Sequence, residues 1–279
     1  MILDSKECKM PRNKINVNKQ FEIDTFYTAF SFNWDDQFQF DGESHDFWEI
    51  VLITDGTVEV TEDEKIYMLK KNDLVLHAPM EFHRIRSAQS TFPKGFIISF
   101  HTIGSLPEEL KNGIFTLTDE EVTEYLKICH GLRNILRQGP DHVYESLSLA
   151  ARLTTFLIQL GIYKHAQEQI SITHSAFTYQ KVISEMSKNV CQNISLTDLA
   201  ANCNISVSYL KLLFKKYAGI SPKNYYNHLR LRHAISLLKS DKSAAEIAME
   251  MNFSSPNYFS VFFQNQTGKT TSAFRKENT

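Results

Sequence analysis

SYLKLLFKKYAGISPKNY (Ser208–Tyr225) and NYFSVFFQNQTGKTTSAF (Asn257–Phe274) are two copies of one pattern, 49 residues apart. Tyr209 meets Tyr258, Leu210 meets Phe259 and Phe214 meets Phe263. Gly219 meets Gly268, Ser221 meets Thr270 and Tyr225 meets Phe274. Upstream, Asp198-Leu199-Ala200 answers Glu246-Ile247-Ala248 at an offset of 48. Each copy reads as a short helix ending in an apolar-Ala pair, a tight turn, a longer aromatic helix and a glycine stop. The small Ala200 and Ala248 let two helices cross closely. The turn needs a residue that tolerates positive φ, and Asn204 and Asn252 fill that role.

Such a unit is a helix-turn-helix, whose second helix buries one stripe and leaves the other for a DNA major groove. In the first copy Leu210, Leu213 and Phe214 form the buried stripe, while Ser208, Lys211, Leu212 and Lys215 point outward. Between the copies runs NYYNHLRLRHAISLLKS, with an apolar stripe of Leu229, Leu231, Ala234, Leu237 and Leu238. A helix of ~18 residues spans ~27 Å, close to the ~34 Å that separates successive major grooves on one face of DNA. Charge agrees with a nucleic-acid partner. Residues 1–170 carry 17 Lys/Arg against 26 Asp/Glu, and residues 171–279 carry 13 against 6. The net charge of -2 therefore hides a basic C-terminal third, suited to a polyanion. An ordinary bundle without a ligand would explain the stripes, but not a duplicated unit with basic exposed positions.

Helix starts after residue 176 are plainly written. Ser195, Ser206, Ser221, Ser243 and Ser255 each precede a helical run, Pro222 and Pro256 suit the first helical position, and SAAE makes a capping box with Glu246. Each serine oxygen takes an orphaned backbone N–H, worth about 1 kcal/mol.

The rest of the chain reads differently. From about Phe21 to Phe100, short β-rich runs (EIVLIT, TVEVTE, KIYMLK, DLVLHA, GFIISF) are separated by turn signals, which predicts a small barrel or sandwich. From Thr118, an N-cap, Val122, Leu126, Cys129, Leu132, Ile135 and Leu136 recur at helical spacing. After Gly139-Pro140 a second helix is expected from about Asp141 to Tyr163, with Leu147, Ala150, Ala151, Thr154, Leu157, Ile158 and Gly161 near one face. Residues 165–176 are polar and unpatterned and read as a linker. No run of 18 apolar residues occurs, so no membrane span is expected. The N-terminus lacks the apolar region of a secretory signal. Cys8, Cys129, Cys191 and Cys203 lack metal-binding spacing and read as free thiols of a cytoplasmic protein.

SLTDLA, SYLKLLFKKYAGISP, RLRHAISLL, EIA and NYFSVFF resemble the AraC/XylS family of transcription regulators, over about residues 177–276. The resemblance implies seven helices, with recognition helices at about 206–217 and 255–267 reading adjacent major grooves. It places base contacts on Ser208, Tyr209, Lys211 and Leu212, phosphate contacts near Lys215 and Lys216, and second-unit contacts on Pro256, Asn257, Ser260 and Val261. The caps Ser206 and Ser255 and the residue Gln264 complete the candidate DNA-binding set. Departures matter. Leu212 and Val261 stand where family members often carry Arg; they can pack on a thymine methyl but cannot grip guanine bidentately. Gln264 and Asn265 replace the usual lysines, Thr271 a proline, and Asn252 a glycine, so a weaker phosphate grip is expected in the second unit.

HDFWEIVLITDG places His45, Glu49 and Gly56 at the spacing of a cupin first motif, and NDLVLHAPMEFH supplies a second, with Asp73, Pro79 and His83. Many members of the family carry such a domain for effector sensing. In metal-dependent cupins two His and a Glu join a second-motif His; here Glu43 holds the first position. Glu43, His45, Glu49 and His83 form a mixed O/N set or satisfy one another, and no metal or other cofactor is assigned. The commoner family use is an inducer pocket. His45, Phe47, Trp48, Glu49, His83 and Arg84 are the candidate effector residues, suiting a sugar-like or other polar small molecule. Alternation allows at most one of Phe47 and Trp48 to line it.

The expected fold is α+β. A cupin-like β-barrel occupies 1–117, a helical linker and dimerisation region 118–164, a linker 165–176, and an all-α double helix-turn-helix domain 177–279. The expected function is a sequence-specific DNA-binding regulator under a small polar effector. Alternatives are a metal-dependent cupin enzyme fused to a DNA-binding module, or a regulator controlled by a protein partner. No Ser/His/Asp, P-loop or GxGxxG arrangement is visible, so no enzyme activity is expected. Expected partners are double-stranded DNA, the effector, a second copy of the chain and RNA polymerase, with no membrane. The sequence names neither promoter nor effector. Activation is the expected sense of regulation, though no residue pattern separates it from repression.

Overall fold

The computed structural model of the chain describes residues 20–111, 114–139, 141–163, 173–240 and 242–277. The N-terminal part is a two-sheet antiparallel barrel. Strands β1 (Phe21–Asn33), β2 (Trp48–Asp55), β5 (Asp73–His77), β7 (Lys94–Gly104) and β8 (Ile114–Thr116) form one sheet in the order β1-β7-β2-β5-β8. Strands β3 (Thr57–Glu62), β4 (Lys65–Lys70) and β6 (His83–Ser87) form the other, in the order β4-β3-β6.

The apolar run of β2 is continuous because both faces of its sheet are covered. Val51 and Ile53 point into the barrel, against Val58, Val60, Tyr67, Leu69 and Ile85 of the opposite sheet. Trp48, Ile50 and Leu52 point the other way, against the helices α1 (Asp119–Gln138) and α2 (Val143–Tyr163). Thr118 caps α1 as expected, and Glu121 completes a capping box. Three strands fall outside the runs picked from sequence. In β1 the pairing with β7 slips between Ile23 and Thr25 and again between Phe26 and Thr28, which breaks the two-residue period. β6 is rich in charge and β8 is only 3 residues long.

Helix α2 corrects one expectation. Its buried face is Leu149, Leu153, Phe156, Leu157 and Leu160, whereas Leu147, Ile158 and Ile162 lie exposed on the other side. The stripe read from sequence thus mixed the two faces. By length and a mean hydropathy of 1.2, α2 reaches the range of a membrane-crossing helix, but one face is fixed in the barrel core.

The expected linker is shorter than read. Thr173 caps α3 (His174–Lys188), so residues 174–176 are its first turn; residues 165–172 lie outside the described residues. Then follow α4 (Leu196–Asn202), α5 (Val207–Tyr217), α6 (Pro222–Leu238), α7 (Ala244–Glu250), α8 (Pro256–Thr267) and α9 (Thr271–Glu277). Among the described residues this part therefore holds the seven helices the resemblance implies. All five serine caps form, each side chain accepting from the N–H three residues on.

The barrel and the helical part pack directly together. Phe82 and Ile66 of the barrel belong to the same apolar cluster as Tyr179, Phe214, Tyr217 and Tyr225. Gly42 donates to the Ala218 carbonyl at 3.2 Å. A Cβ at Gly42 would lie 2.0 Å from the Phe82 ring and 2.5 Å from that carbonyl, so only glycine permits the approach.

Candidate nucleic-acid interface and effector site

The two units repeat in space as in sequence. In the first, α4 and α5 are joined through Asn204 at φ 58°; in the second, α7 and α8 are joined through Asn252 at φ 53°. Both adopt the left-handed backbone that asparagine tolerates. Gly219 and Gly268, after the second helix of each unit, have φ of 75° and 72°. Ala200 and Ala248 are buried where the helices cross.

Burial sorts the recognition helices cleanly. In α5, Leu210, Leu213, Phe214 and Tyr217 are buried, and Ser206, Ser208, Lys211, Leu212, Lys215 and Lys216 are exposed, with Tyr209 half-buried. In α8, Phe259 and Phe263 are buried; Pro256, Asn257, Val261 and Gln264 are exposed, and Ser255 and Ser260 half-buried. Leu212 and Val261 therefore stand on the open faces of the two helices. Ser206 and Ser255 use their oxygens as cap acceptors and keep a hydroxyl proton to donate. The Ser260 hydroxyl is turned back to the Pro256 carbonyl at 3.0 Å.

Lys216, expected near a phosphate, has an intramolecular role in the free chain. Its ammonium donates to Ser175 Oγ at 3.0 Å and lies 4.6 Å from the Tyr217 ring centroid, so it braces α3 against α5. Tyr258, 59% exposed, stands on the open side of α8 beside Asn257. It was not among the sequence candidates, although its repeat partner Tyr209 was; the offset of 49 was the signal.

Helix α6 joins the units and also carries the barrel. Its Arg230 is buried, donates to the Met251 carbonyl at 2.7 Å and lies over the Phe253 ring, which fixes the turn of the second unit. Its Arg232 pairs with Asp63 at the β3–β4 turn, and Asp63 also accepts from the Tyr225 hydroxyl at 3.3 Å. Ser44 Oγ lies 3.3 Å from His228 Nδ1.

Of the six effector candidates, the structure brings three together. His45, Glu49 and His83 lie at the barrel end that faces the helical part, with Glu49 Oε1 3.5 Å from His83 Nε2. His45 and His83 have ring centroids 4.9 Å apart. The other three go elsewhere. Trp48 is core, donating its indole N–H to Thr102. Phe47 stacks on the outside of His45 and against Tyr27. Arg84 is a strut between the two parts: its Nε donates to the Phe40 carbonyl at 3.1 Å, and its terminal nitrogens to the Lys216 carbonyl and Gln39.

Three residues missed in the sequence complete this cluster: Glu62, His77 and Glu81, all buried. Pairing explains their convergence. Glu49 faces His77 across β2 and β5, and Glu62 faces His83 across β3 and β6, so each sheet presents one acid and one imidazole at the same end. His77 Nδ1 lies 2.9 Å from Glu62 and 3.3 Å from Glu81, the latter along a hydrogen-bond direction. Burial opposes charge on His77, but these two carboxylates outweigh it and hold its pKa up at about 10. Burial and the charge of Glu62 push Glu81 up to about 7. Burial, with the nearby His83, pulls His45 down to about 4. The spacing His77, Glu81, His83 in DLVLHAPMEFH was the available signal. Beside the cluster is a cavity of about 240 Å³ between the two parts of the molecule, lined by Ser44, His45, Asp46 and Met80 from the barrel and by His228 and Gln266, among others, from the helices.

Comparison with known proteins accords with this geometry. Residues 28–157 match the AraC-like ligand binding domain and residues 199–277 a helix-turn-helix domain. The Msm operon regulatory protein of Streptococcus mutans serotype c is 26% identical over 278 residues, covering 95% of this chain and 98% of that protein. The HTH-type transcriptional activator RhaS of Klebsiella pneumoniae is 22% identical over 239 residues, covering 82% and 85%. A solved AraC-type DNA-binding domain from Chromobacterium violaceum is 33% identical, covering 37% of this chain and 93% of that one, with a TM-score of 0.35. Two domain matches spanning most of the chain, on a barrel joined to paired helix-turn-helix units, place it in the AraC family of DNA-binding transcription regulators with an N-terminal ligand-binding domain.

Proposed function

We propose that this regulator is a cytoplasmic, non-enzymatic activator that works as a homodimer under a small polar, sugar-like effector. The carrying observation is position. The polar barrel end formed by His45, Glu49 and His83 is the end docked on α6, and Phe82, next to His83, inserts among the helices that set the first recognition helix. An effector at His45 and in the adjoining cavity touches both parts at once and so has different contacts in docked and undocked states, which an effector must have to shift their balance. Hydroxyl-rich ligands suit the imidazoles, Ser44, Asp46 and Gln266 found there.

DNA reading falls to the exposed faces of α5 and α8: Ser208, Tyr209, Lys211 and Leu212 in one groove, and Asn257, Ser260 and Val261 in the next. Support for a dimer comes from α2, whose outer side exposes Val143, Tyr144, Leu147, Ile158, Ile162 and Tyr163 beside a fully packed inner side. RNA polymerase is the further partner an activator needs.

The test is a thermal-shift screen of the full chain against sugars, polyols and small carboxylates, followed by DNA binding with each hit. A hit should raise the melting temperature, change operator affinity, and lose both effects in His45→Ala. A ligand that stabilises the chain equally in His45→Ala binds elsewhere and overturns the assignment.

A further inference from the structure

The acid–imidazole cluster has a hydrogen-bond polarity that a sugar pocket does not need. His45 Nδ1 lies 2.9 Å from the Phe47 carbonyl, and His83 Nδ1 lies 3.4 Å from the Glu81 carbonyl. A carbonyl can only accept, so in both rings the Nδ1 carries a proton, and the neutral ring would present its lone pair at Nε2. Both Nε2 atoms are buried and, among the described residues, neither makes a hydrogen bond; Glu49 Oε1 stands 3.5 Å from that of His83. His77 is held alike, its Nδ1 turned to Glu62 and Glu81, and its ring stacks on His83 at 4.2 Å. Three imidazoles whose Nδ1 atoms are each anchored on an oxygen, with the Nε2 side left for another partner, is the outer-shell arrangement of histidines that ligate a metal.

Charge points the same way. Glu49, Glu62 and Glu81 converge in this small volume with His77 and His83; without an ion the proton held on His77 compensates part of that charge, and a divalent cation at its Nε2 would displace that proton to solvent and take over the compensation. One ligand atom from each of Glu49, His77 and His83 lies within 4.8 Å of the others, and the same holds for Glu43, His45 and His83. Donors around a tetrahedral zinc stand about 3.4 Å apart, given bonds of ~2.0–2.2 Å. Glu49 Oε1 and His83 Nε2 are already 3.5 Å apart.

We propose that Glu49, His77 and His83 bind one divalent transition-metal ion of the zinc class, leaving an open position toward His45 and the interdomain cavity. His77, on β5 outside both cupin motif positions, supplies the imidazole that Glu43 does not. Nitrogen and carboxylate donors without thiolate favour zinc, cobalt or nickel over calcium or magnesium. The ion ties β2, β5 and β6 together at the foot of the loop that carries Phe82 into the helices. This inference does not depend on the effector reading, because metal binding is measured without effector or DNA.

The experiment uses the tag-free full chain, stripped with chelator and dialysed, then titrated with cobalt chloride. The expected result is one cobalt per chain, with visible d–d absorption that zinc abolishes and a raised melting temperature. His83→Asn and Glu49→Gln should lose the stoichiometric ion. Glu81→Gln keeps an acceptor for His77 and should weaken affinity by about 10- to 100-fold, as outer-shell changes do. Should the ligand variants fail to fold, X-ray absorption of the zinc-loaded wild type decides, with imidazole and oxygen donors expected. Absence of stoichiometric binding by a folded chain, binding undiminished in both ligand variants, or a coordination sphere without imidazole would each overturn the proposal.

Discussion

Arg84→Ala tests whether the barrel and the DNA-binding domain behave as one body. Arg84 is buried, and its guanidinium serves three acceptors, two of them main-chain carbonyls on opposite sides of the interface, Phe40 and Lys216. Hydrogen bonds from a charged donor contribute about 1.5–3 kcal/mol each. Truncation leaves both carbonyls short of a donor at about 1–3 kcal/mol apiece, and removes the side chain that packs on Gly219, whose Cα face lies against Arg84. A loss of roughly 3–5 kcal/mol follows, the range for breaking a buried charged contact. That loss has a ceiling. Once it exceeds the docking free energy, the domains part and water satisfies the carbonyls. The docked-to-undocked ratio should therefore fall by more than about 100-fold, at 1.4 kcal/mol per tenfold. In calorimetry the wild type should unfold in one coupled transition and Arg84→Ala in two, and small-angle scattering should report a larger radius of gyration for the variant. Arg84→Lys keeps the charge but not the planar fork and should fall between them. A variant that still unfolds in one transition with an unchanged radius of gyration would refute the strut role.

Lys211→Ala should weaken specific DNA binding by ~1–3 kcal/mol and relax preference at one base position, whereas Lys215→Ala should weaken binding to all sequences and flatten the salt dependence; equal uniform losses would misplace the reading face. Ala substitutions at Asn257 and Ser260 should lower operator affinity less than those at Ser208 and Lys211, and a footprint dominated by the second half-site would contradict this. Leu147→Lys with Ile162→Lys should give a folded monomer by sedimentation, because both side chains are 64% exposed in the single chain. Leu153→Lys, at a position 0% exposed, should instead unfold it, since a buried unpaired ammonium destabilises by several kcal/mol. If the surface pair leaves the sedimentation of the chain unchanged, the α2 face is not the dimer contact.

The helical half was legible because its signals are local. A serine that caps, a proline at the first turn, an asparagine at φ 53–58° and a glycine stop each act within a few residues, and the duplication stated them twice. The barrel was legible only where strands keep their period. β1 lost it to two register slips, and β2 read as one apolar block because α1 and α2 cover its second face. Helix α2 shows the same effect from the other side. With apolar residues around most of its circumference, no periodicity told Leu157, in the core, from its exposed neighbour Ile158.

What sequence could not supply was anything made by two distant segments at once. Glu62 and His77 look like unremarkable ends of two strands, and only the pairing of Glu49 with His77 and Glu62 with His83 puts them in one buried cluster. Arg84 reads as a pocket residue from its place beside His83, but alternation along β6 sends it to the other face, toward Lys216 and the helices. That alternation has a functional consequence. His83 faces the barrel interior while Phe82 and Arg84, on either side of it, hold the DNA-binding domain. A ligand or ion at His83 would thus bind next in the chain to the two contacts that join the barrel to α5 and α6. Under the proposed effector reading, these three consecutive residues couple the barrel to the DNA-binding helices, and their substitution should alter effector response and domain docking together.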